Sequence, residues 1–366
     1  MFIYFFLLIV SYILSFTTKK YKNISFAFLC VLLLFVGFFR SQSVGTDNSG
    51  YCINFQACSM NPLSWSAETE MEPGFSWFMA FFKTYICNDY EIFMGVEFLV
   101  FMAGTIFLIK KYSSNCCLSL FFLILLLYYT LSFNMMRQSC AISLSFFLFP
   151  LLLNPNKKNF LFYILGILFV SFYVHRSLFV MLLLPFVYRT KLIMFFNKKK
   201  NVYILLLLSM FVFSFLPFFF SFIDKLGNAF SFLGARYVAY IQTASDLDME
   251  GRVTTSFLNV LLKTLLALFV VYVTPPRMHK SPFYICFVLG VVLMNCLSGF
   301  NVTFIRLATN FMIYSIVFFP ILWNIVEKKY YIKLNIVVLL ISSLFFIHSM
   351  RKGYDGVVPY ECEIFK

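Results

Sequence analysis

Long apolar runs recur along most of the chain, and they limit its possible folds more than any other feature. A membrane-spanning helix needs roughly 20 predominantly apolar residues, and about twelve runs approach that length. The candidate spans are 2–17, 24–39, 91–109, 117–133, 138–153, 160–174, 177–188, 202–223, 257–274, 283–299, 305–326 and 332–348. We therefore predict an all-α polytopic membrane protein with about 12 transmembrane helices, in a range of roughly 10 to 13.

Composition excludes the soluble alternatives. Of the 366 residues, 61% are hydrophobic and only 12% are charged. A water-soluble domain has about twice that charged fraction, because most of its surface must be hydrated. A soluble enzyme, a disordered chain and a disulfide-rich secreted module are thereby excluded. We find no internal repeat, and we expect 1–366 to form a single integral membrane domain.

Two stretches between the runs have other predicted structures. The apolar stretch near 74–86 is too short for an ordinary span, and it predicts a re-entrant or interfacial helix on the external side. The stretch near 223–256 predicts a long external loop. Such a loop is either a lid over a cavity or a solvated linker.

The basic residues predict which side each loop faces. More than half of the 29 Lys and Arg residues lie in one set of alternate loops, which the positive-inside rule places in the cytoplasm. Both termini and the 74–86 stretch then face outside. The cytoplasmic cations are Lys19, Lys20, Lys22, Lys110, Lys111, Lys157, Lys158, Arg189, Lys191, Lys198, Lys199, Lys200, Arg277, Lys280, Lys328, Lys329 and Lys333.

The predicted external face is rich in arginine instead of lysine. Arginine binds phosphate and carboxylate with a rigid fork of donors, and topology alone disfavours cations on this side. We therefore predict an external functional surface whose ligand carries phosphate. These arginines are Arg40, Arg137, Arg176, Arg236, Arg252, Arg306 and Arg351.

Two external motifs combine charge with turn residues. One runs from Arg40 through Gly45-Thr46-Asp47 to Tyr51, and the other is Glu72-Pro73-Gly74-Phe75. Each has a structural interpretation, because an arginine can snorkel at a helix end and an acidic residue can cap a helix. Each is also a candidate functional site.

Two tight external turns carry the remaining candidates. Arg137-Gln138 lies between adjacent runs, where a charge at the membrane surface is costly unless it is paired or hydrated. His175-Arg176 lies at the next external turn. A neighbouring arginine favours the neutral imidazole, which can act as a general base. Asp47 is the competing base, although nearby cations make it a better hydrogen-bond partner than base.

Several chemistries have no signature in the sequence. We find no metal-ligand spacing, no phosphate-binding Gly-Lys-Ser/Thr loop and no Gly-x-Ser-x-Gly elbow. The sequence therefore implies no metal and no cofactor, and nothing points to nucleic acid.

The ordered motifs resemble the EpsG-like group of Wzy-type polysaccharide polymerases. The series is Arg40-x4-Gly45-Thr46-Asp47-x3-Tyr51, Glu72-Pro73-Gly74-Phe75, Arg137-Gln138, His175-x-Ser177 and Pro359-Tyr360. The resemblance implies a bacterial inner-membrane glycosyltransferase with a GT-C-like fold. Such an enzyme polymerises O-antigen, capsule or exopolysaccharide repeat units carried on undecaprenyl pyrophosphate. Partners implied are that lipid-linked oligosaccharide, membrane lipids, and the flippase and chain-length regulator of the pathway.

The same resemblance assigns roles to individual residues. His175 or Asp47 takes the proton of the acceptor hydroxyl, and Arg137, Arg176 and Arg306 hold the leaving pyrophosphate. The substrate-binding residues are Arg40, Tyr51, Glu72, Arg137, Gln138, Arg176, Arg236 and Arg306.

Two alternative functions stay open at this point. A lipid-linked oligosaccharide flippase or other transporter also has about a dozen spans, but it needs a polar path from both faces, and repeat-built transporters have paired halves. The other alternative is a different lipid-phosphate-dependent transferase or ligase.

Labelling of single cysteines on a cysteine-free background tests the predicted sides. An impermeant maleimide should modify positions within 41–70 and 224–255 in intact spheroplasts. Positions near Lys157 and Lys199 should react only after permeabilisation, because basic loops are retained in the cytoplasm. Labelling of that second group in intact spheroplasts would contradict both the topology and the external site.

Overall fold

The computed structural model describes residues 1–58, 61, 71–212, 257–298 and 302–363. Within these ranges the chain is helical, joined by turns and by one isolated antiparallel bridge between Arg40 and Cys362. This confirms the all-helical prediction. The predicted external loop at 223–256, which includes Arg236, lies outside the described residues.

The chain divides into two compact units. The first contains Met1–Leu182, Ile316–Asn324 and Leu339–Lys366, and the second contains Leu183–Ser315 and Ile325–Val338. In the described part of 1–182, the first unit contains nine α-helices. They are α1 (Phe2–Leu14), α2 (Lys22–Phe38), α3 (Asn48–Ala57), α4 (Pro73–Tyr85), α5 (Tyr90–Tyr112), α6 (Cys116–Leu125), α7 (Tyr128–Asn134), α8 (Met136–Leu153) and α9 (Lys157–Tyr173).

The later elements follow the predicted runs as well. A 3-10 helix at Arg176–Leu182 ends the Met1–Leu182 segment of the first unit. The second unit contains the helices Leu183–Arg189, Ile193–Phe196, 199–212, Phe257–Val273, Pro282–Leu297 and Val302–Met312. Helix Ser315–Ile325 lies mostly in the first unit, and helix Lys328–Lys352 contributes to both.

Three of the described helices are long and apolar enough to cross a membrane, namely α5, α8 and Lys328–Lys352. The number becomes five if each bent pair counts as one span: α6 with α7, bent by 57°, and Ile305–Met312 with Ser315–Ile325, bent by 44°. Leu127, between α6 and α7, has a left-handed backbone with φ 67°, which accounts for the first bend. The helices support a membrane protein, and the count of about 12 spans remains a prediction.

Local sequence sets where several helices begin. Asp89 precedes α5, and its carboxylate accepts hydrogen bonds from the backbone N–H groups of Glu91 (2.8 Å) and Ile92 (3.2 Å). Asn115 caps α6 in the same way through the N–H of Leu118 at 3.2 Å. These side chains satisfy donors that the first helical turn leaves unpaired. Pro73 starts α4 because its fixed φ suits the first helical position.

A glycine allows α5 and α8 to approach closely. A Cβ atom added to Gly104 would lie 2.2 Å from Ser143 Oγ and 2.5 Å from the Ser143 carbonyl oxygen. Ser143 Oγ also donates a hydrogen bond to the carbonyl of Val100 at 2.5 Å, which joins the two helices. Small residues and hydroxyl hydrogen bonds are the usual means of packing helices within membranes.

Substitution of Gly104 tests this packing. Gly104→Ala should destabilise the first unit by about 1–3 kcal/mol, because the added methyl group meets backbone atoms that cannot rotate away. Thermal unfolding in detergent, followed by size-exclusion chromatography, should show a lower midpoint. Gly50→Ala in α3 is the matched control, since a Cβ there meets nothing within 4 Å. Equal midpoints for the two variants would contradict the close approach.

Candidate active site

A buried carboxylate joins three parts of the first unit. Glu72 is 5% exposed, and its Oε2 accepts a hydrogen bond from Arg137 Nη1 at 2.5 Å. Its Oε1 lies 3.0 Å from His175 Nδ1 and accepts the backbone N–H of Arg176 at 3.2 Å. The residue before α4, the first turn of α8 and the turn after α9 therefore meet at one side chain.

The Glu-Pro-Gly motif explains how Glu72 reaches this position. Pro73 begins α4, so Glu72 stands just outside the helix with extended backbone, and its side chain does not cap the helix. Gly74 follows, and a Cβ there would lie 2.6 Å from the carbonyl oxygen of Tyr173. The absence of a side chain at Gly74 lets the start of α4 approach the end of α9. This approach brings Glu72 to His175.

An aromatic cluster beneath the site holds α3, α4 and α5 together. The Phe93 ring on α5 has centroid distances of 5.3 Å to Phe55 and 5.3 Å to Phe82. Phe75 lies 6.2 Å from the same ring, and Tyr51 is packed against this buried cluster. Aromatic packing of this kind stabilises the elements that carry Tyr51 and Glu72.

The environment of Glu72 keeps the carboxylate ionised. Burial raises the pKa of Glu72, but the hydrogen bond and charge of His175, together with the charge of Arg137, outweigh it and hold the pKa below its usual range. An ionised carboxylate can only accept hydrogen bonds. His175 Nδ1 therefore carries the proton that it shares with Glu72, and in the neutral ring the lone pair lies on Nε2.

Arg137 connects this carboxylate to α3. Its Nε donates a hydrogen bond to the Tyr51 hydroxyl at 3.1 Å, and its guanidinium lies 5.8 Å from the centroid of the Tyr51 ring. The Arg137 and His175 side chains are each 16% exposed. Both groups thus remain open to a ligand while Glu72 is enclosed. Gln138, next to Arg137 on α8, is buried.

Asp47 lies at the start of the helix that carries Tyr51. Its carbonyl accepts the N–H of Tyr51 at 3.2 Å, and its own N–H donates to Asn134 Oδ1 at 2.7 Å. Gly45, two residues earlier, has φ 120°, and a Cβ there would lie 2.8 Å from Asn48 Nδ2. This backbone conformation favours glycine. The Gly45-Thr46-Asp47 motif is therefore a turn that leads into α3.

The structure places Arg40 in a different environment. Its side chain is fully buried, its Nη2 lies 3.9 Å from Glu97 Oε2, and its guanidinium lies 4.7 Å from the centroid of Phe133. Nη1 donates to the carbonyl of Gly37 at 2.5 Å. Arg40 is thus enclosed in an ion pair with a residue of α5, whereas Arg137 keeps part of its surface accessible.

The other predicted site residues are distributed as follows. Arg176 contributes its backbone N–H to Glu72, and its side chain is half-buried. Arg306 is half-buried on Val302–Met312 in the second unit. Arg236 lies outside the described residues.

Sequence reasoning missed two aspects of this site. It assigned Glu72 to the saccharide site and did not predict the contacts of its carboxylate with His175, Arg176 and Arg137. It also passed over Asn134, although that residue opens the Asn134-Met135-Met136-Arg137 segment. An asparagine three residues before Arg137, in a tight turn between two apolar runs, was the available signal. In the part of the chain that the structure describes, His, Cys, Asp and Glu side chains form no group of three able to hold a metal.

The apolar helices and the Glu72 cluster are those of an integral membrane protein with a buried, ion-paired polar site. The model of the EpsG family matches residues 23–362, nearly the full chain, and the chain belongs to the EpsG family. This confirms the resemblance found in the sequence, and it indicates an exopolysaccharide-related membrane protein of polymerase type. Neither a curated protein nor a solved structure matches the chain.

Neutralising the central carboxylate tests the site. Glu72→Gln should destabilise the protein by about 1.5–3 kcal/mol at neutral pH, because charged hydrogen bonds to Arg137 and His175 are lost. The thermal midpoint in detergent reports the change. Glu327→Gln is the control. Glu327 is likewise ion-paired, with Lys329, but it is 61% exposed, so this substitution should change stability little.

The same comparison has a predicted pH dependence. Because the folded state lowers the pKa of Glu72, its stabilisation is complete above the ordinary value of 4.5 and declines as the pH falls below it. The difference between wild type and Glu72→Gln should therefore be present at pH 7 and shrink as the pH falls below about 4.5. A difference that grows as the pH falls below about 4.5 would contradict an ionised Glu72.

Proposed function

We propose that the chain is a glycosyltransferase that polymerises oligosaccharide repeat units carried on undecaprenyl pyrophosphate. The product is O-antigen, capsule or exopolysaccharide, formed on the external face of the bacterial cytoplasmic membrane. The observation that carries the proposal is the Glu72–His175 hydrogen bond beside Arg137, in a membrane protein of the EpsG family.

His175 is the proposed general base. Glu72 holds Nδ1, so Nε2 takes the proton of the acceptor hydroxyl as that oxygen attacks the anomeric carbon of the donor. Glu72 also stabilises the imidazolium that forms, as a carboxylate does beside histidine in hydrolase triads. Attack from the face opposite the pyrophosphate inverts the configuration at the anomeric carbon.

Arginines are proposed to stabilise the leaving group. As the new glycosidic bond forms, the bond between the anomeric carbon and the pyrophosphate oxygen breaks, and the oxygen keeps the electron pair. Arg137 lies beside the base and is partly exposed, and its guanidinium can bind phosphate oxygens through two donors. From the family resemblance we also assign Arg176 and Arg306 to the pyrophosphate and Arg236 to substrate binding.

The saccharide is proposed to contact residues around α3. Tyr51 is half-buried against Arg137 and offers an aromatic ring to a sugar. Asp47, at the start of the same helix, accepts hydrogen bonds from sugar hydroxyls, and Gln138 is assigned to substrate binding from the family resemblance. The enclosed positions of Glu72 and Arg40 suit them to hold this surface in place.

The remaining parts of the proposal concern architecture and partners. The proposal includes about 12 spans in a GT-C-like arrangement, with 1–366 forming a single polymerase domain. The pathway's flippase delivers the lipid-linked repeat unit, and its chain-length regulator limits the product.

Reconstitution tests the function and the base together. Purified protein in liposomes, given synthetic undecaprenyl-pyrophosphate repeat units, should produce a ladder of polymer lengths on a gel. His175→Ala should slow chain growth by about 10²–10⁴-fold, because removal of a general base has that effect. His348→Ala is the control, since His348 is exposed on Lys328–Lys352. Asp47→Asn should bind donor more weakly and retain some chain growth.

The alternatives give different results in this assay. A wild-type rate for His175→Ala, with no polymer from Asp47→Asn, would reverse the two roles. Transfer of the intact lipid-linked unit across the bilayer without any ladder would identify a flippase and contradict the proposal.

A further inference from the structure

Asn134 makes three hydrogen bonds at the break between α7 and α8. Its side chain is 1% exposed. Its Oδ1 accepts the Thr46 hydroxyl at 2.9 Å and the backbone N–H of Asp47 at 2.7 Å, and its Nδ2 donates to Asp355 Oδ1 at 3.3 Å. A buried amide whose oxygen and nitrogen are both hydrogen-bonded fixes the relative position of the groups that it joins.

The C-terminal segment reinforces the same contact. The backbone N–H groups of Gly45 and Thr46 donate to the carbonyls of Gly356 (3.0 Å) and Asp355 (3.1 Å). Further along, the Ser41 N–H donates to the carbonyl of Glu361 at 2.9 Å. The loop that precedes α3 is thus paired with the segment that follows the last helix, and Asn134 lies where the two meet α7.

Both partners of the Arg137–Tyr51 hydrogen bond depend on elements that Asn134 joins. Arg137 lies three residues after Asn134, in the first turn of α8. Tyr51 lies one turn after Asp47, on α3. Movement of the Asp47 loop relative to the α7–α8 break would therefore separate Tyr51 from Arg137 and shift Arg137 relative to Glu72.

We propose that Asn134 and Asp355 form a clamp that positions Asp47, Tyr51 and Arg137 for the transfer reaction. Asn134 is a positioning residue, because it acts through these side chains. This inference rests on the proposed function for its activity test. Its structural content, namely that the amide–carboxylate contact holds the Asp47 loop in place, stands independently.

Exchange of the two side chains tests the clamp. Asn134→Asp places two carboxylates against each other, and it should slow chain growth at least tenfold with a normal yield of folded protein. Asp355→Asn alone should have a smaller effect, because an amide oxygen can still accept from Asn134. In the double variant, a carboxylate at 134 still accepts from Thr46 and Asp47 and also accepts from the amide at 355. The double variant should therefore recover to within about threefold of wild type, since complementarity of donors and acceptors is restored.

Hydrogen exchange of residues 41–57 provides a measurement that does not require activity. Asn134→Asp should accelerate exchange in this segment, and the double variant should return it to the wild-type rate. Asn154→Asp is the matched control, because it makes the same chemical change in an exposed loop. If wild type forms no polymer but exchange follows this pattern, the clamp stands and the proposed function is wrong. If the double variant stays as impaired as Asn134→Asp in both measurements, the clamp is wrong.

Discussion

An ionised carboxylate enclosed by protein requires compensation on every side, and Glu72 is the residue on which this site depends. Its two oxygens are matched by a guanidinium from α8 and by an imidazole N–H and a backbone N–H from the turn after α9. Removal of one partner leaves a buried charge that is only partly paired, which costs more than the lost contact contributes. The cluster therefore favours one arrangement, and it couples the orientation of His175 to that of Arg137.

This coupling divides the charged residues into two groups. Glu72 and Arg40 are enclosed by protein, where they fix the positions of their neighbours. Arg137 and His175 keep a fraction of their surface accessible. Arg137 donates to Tyr51 and Glu72 through Nε and Nη1 and remains 16% exposed. Its guanidinium is therefore a cationic group of the site that an anionic ligand can reach.

The sequence predicted the helical class, the family and most of the motifs that meet at the site. Apolar runs give helices directly, because membrane-length segments must satisfy their own backbone. Glu72-Pro73-Gly74 and Gly45-Thr46-Asp47 were recognisable as helix starts and turns. Their partners were not predictable, because the Glu72–His175 contact joins residues 103 positions apart. Likewise, Arg40 and Arg137 have similar surroundings in the sequence, and only packing distinguishes the enclosed arginine from the accessible one.

The pairing between the loop before α3 and the C-terminal segment also has a consequence for biogenesis. Its hydrogen bonds join residues more than three hundred positions apart, as the Ser43–Glu361 contact illustrates with a separation of 318. A chain is synthesised from its N-terminus, and its helices enter the bilayer in turn. The Asp47 turn is therefore made early, and it lacks its C-terminal partner segment until synthesis of the chain is nearly complete. Assembly of the Tyr51–Arg137 surface is consequently a late step, which keeps the partly inserted chain from presenting a finished site.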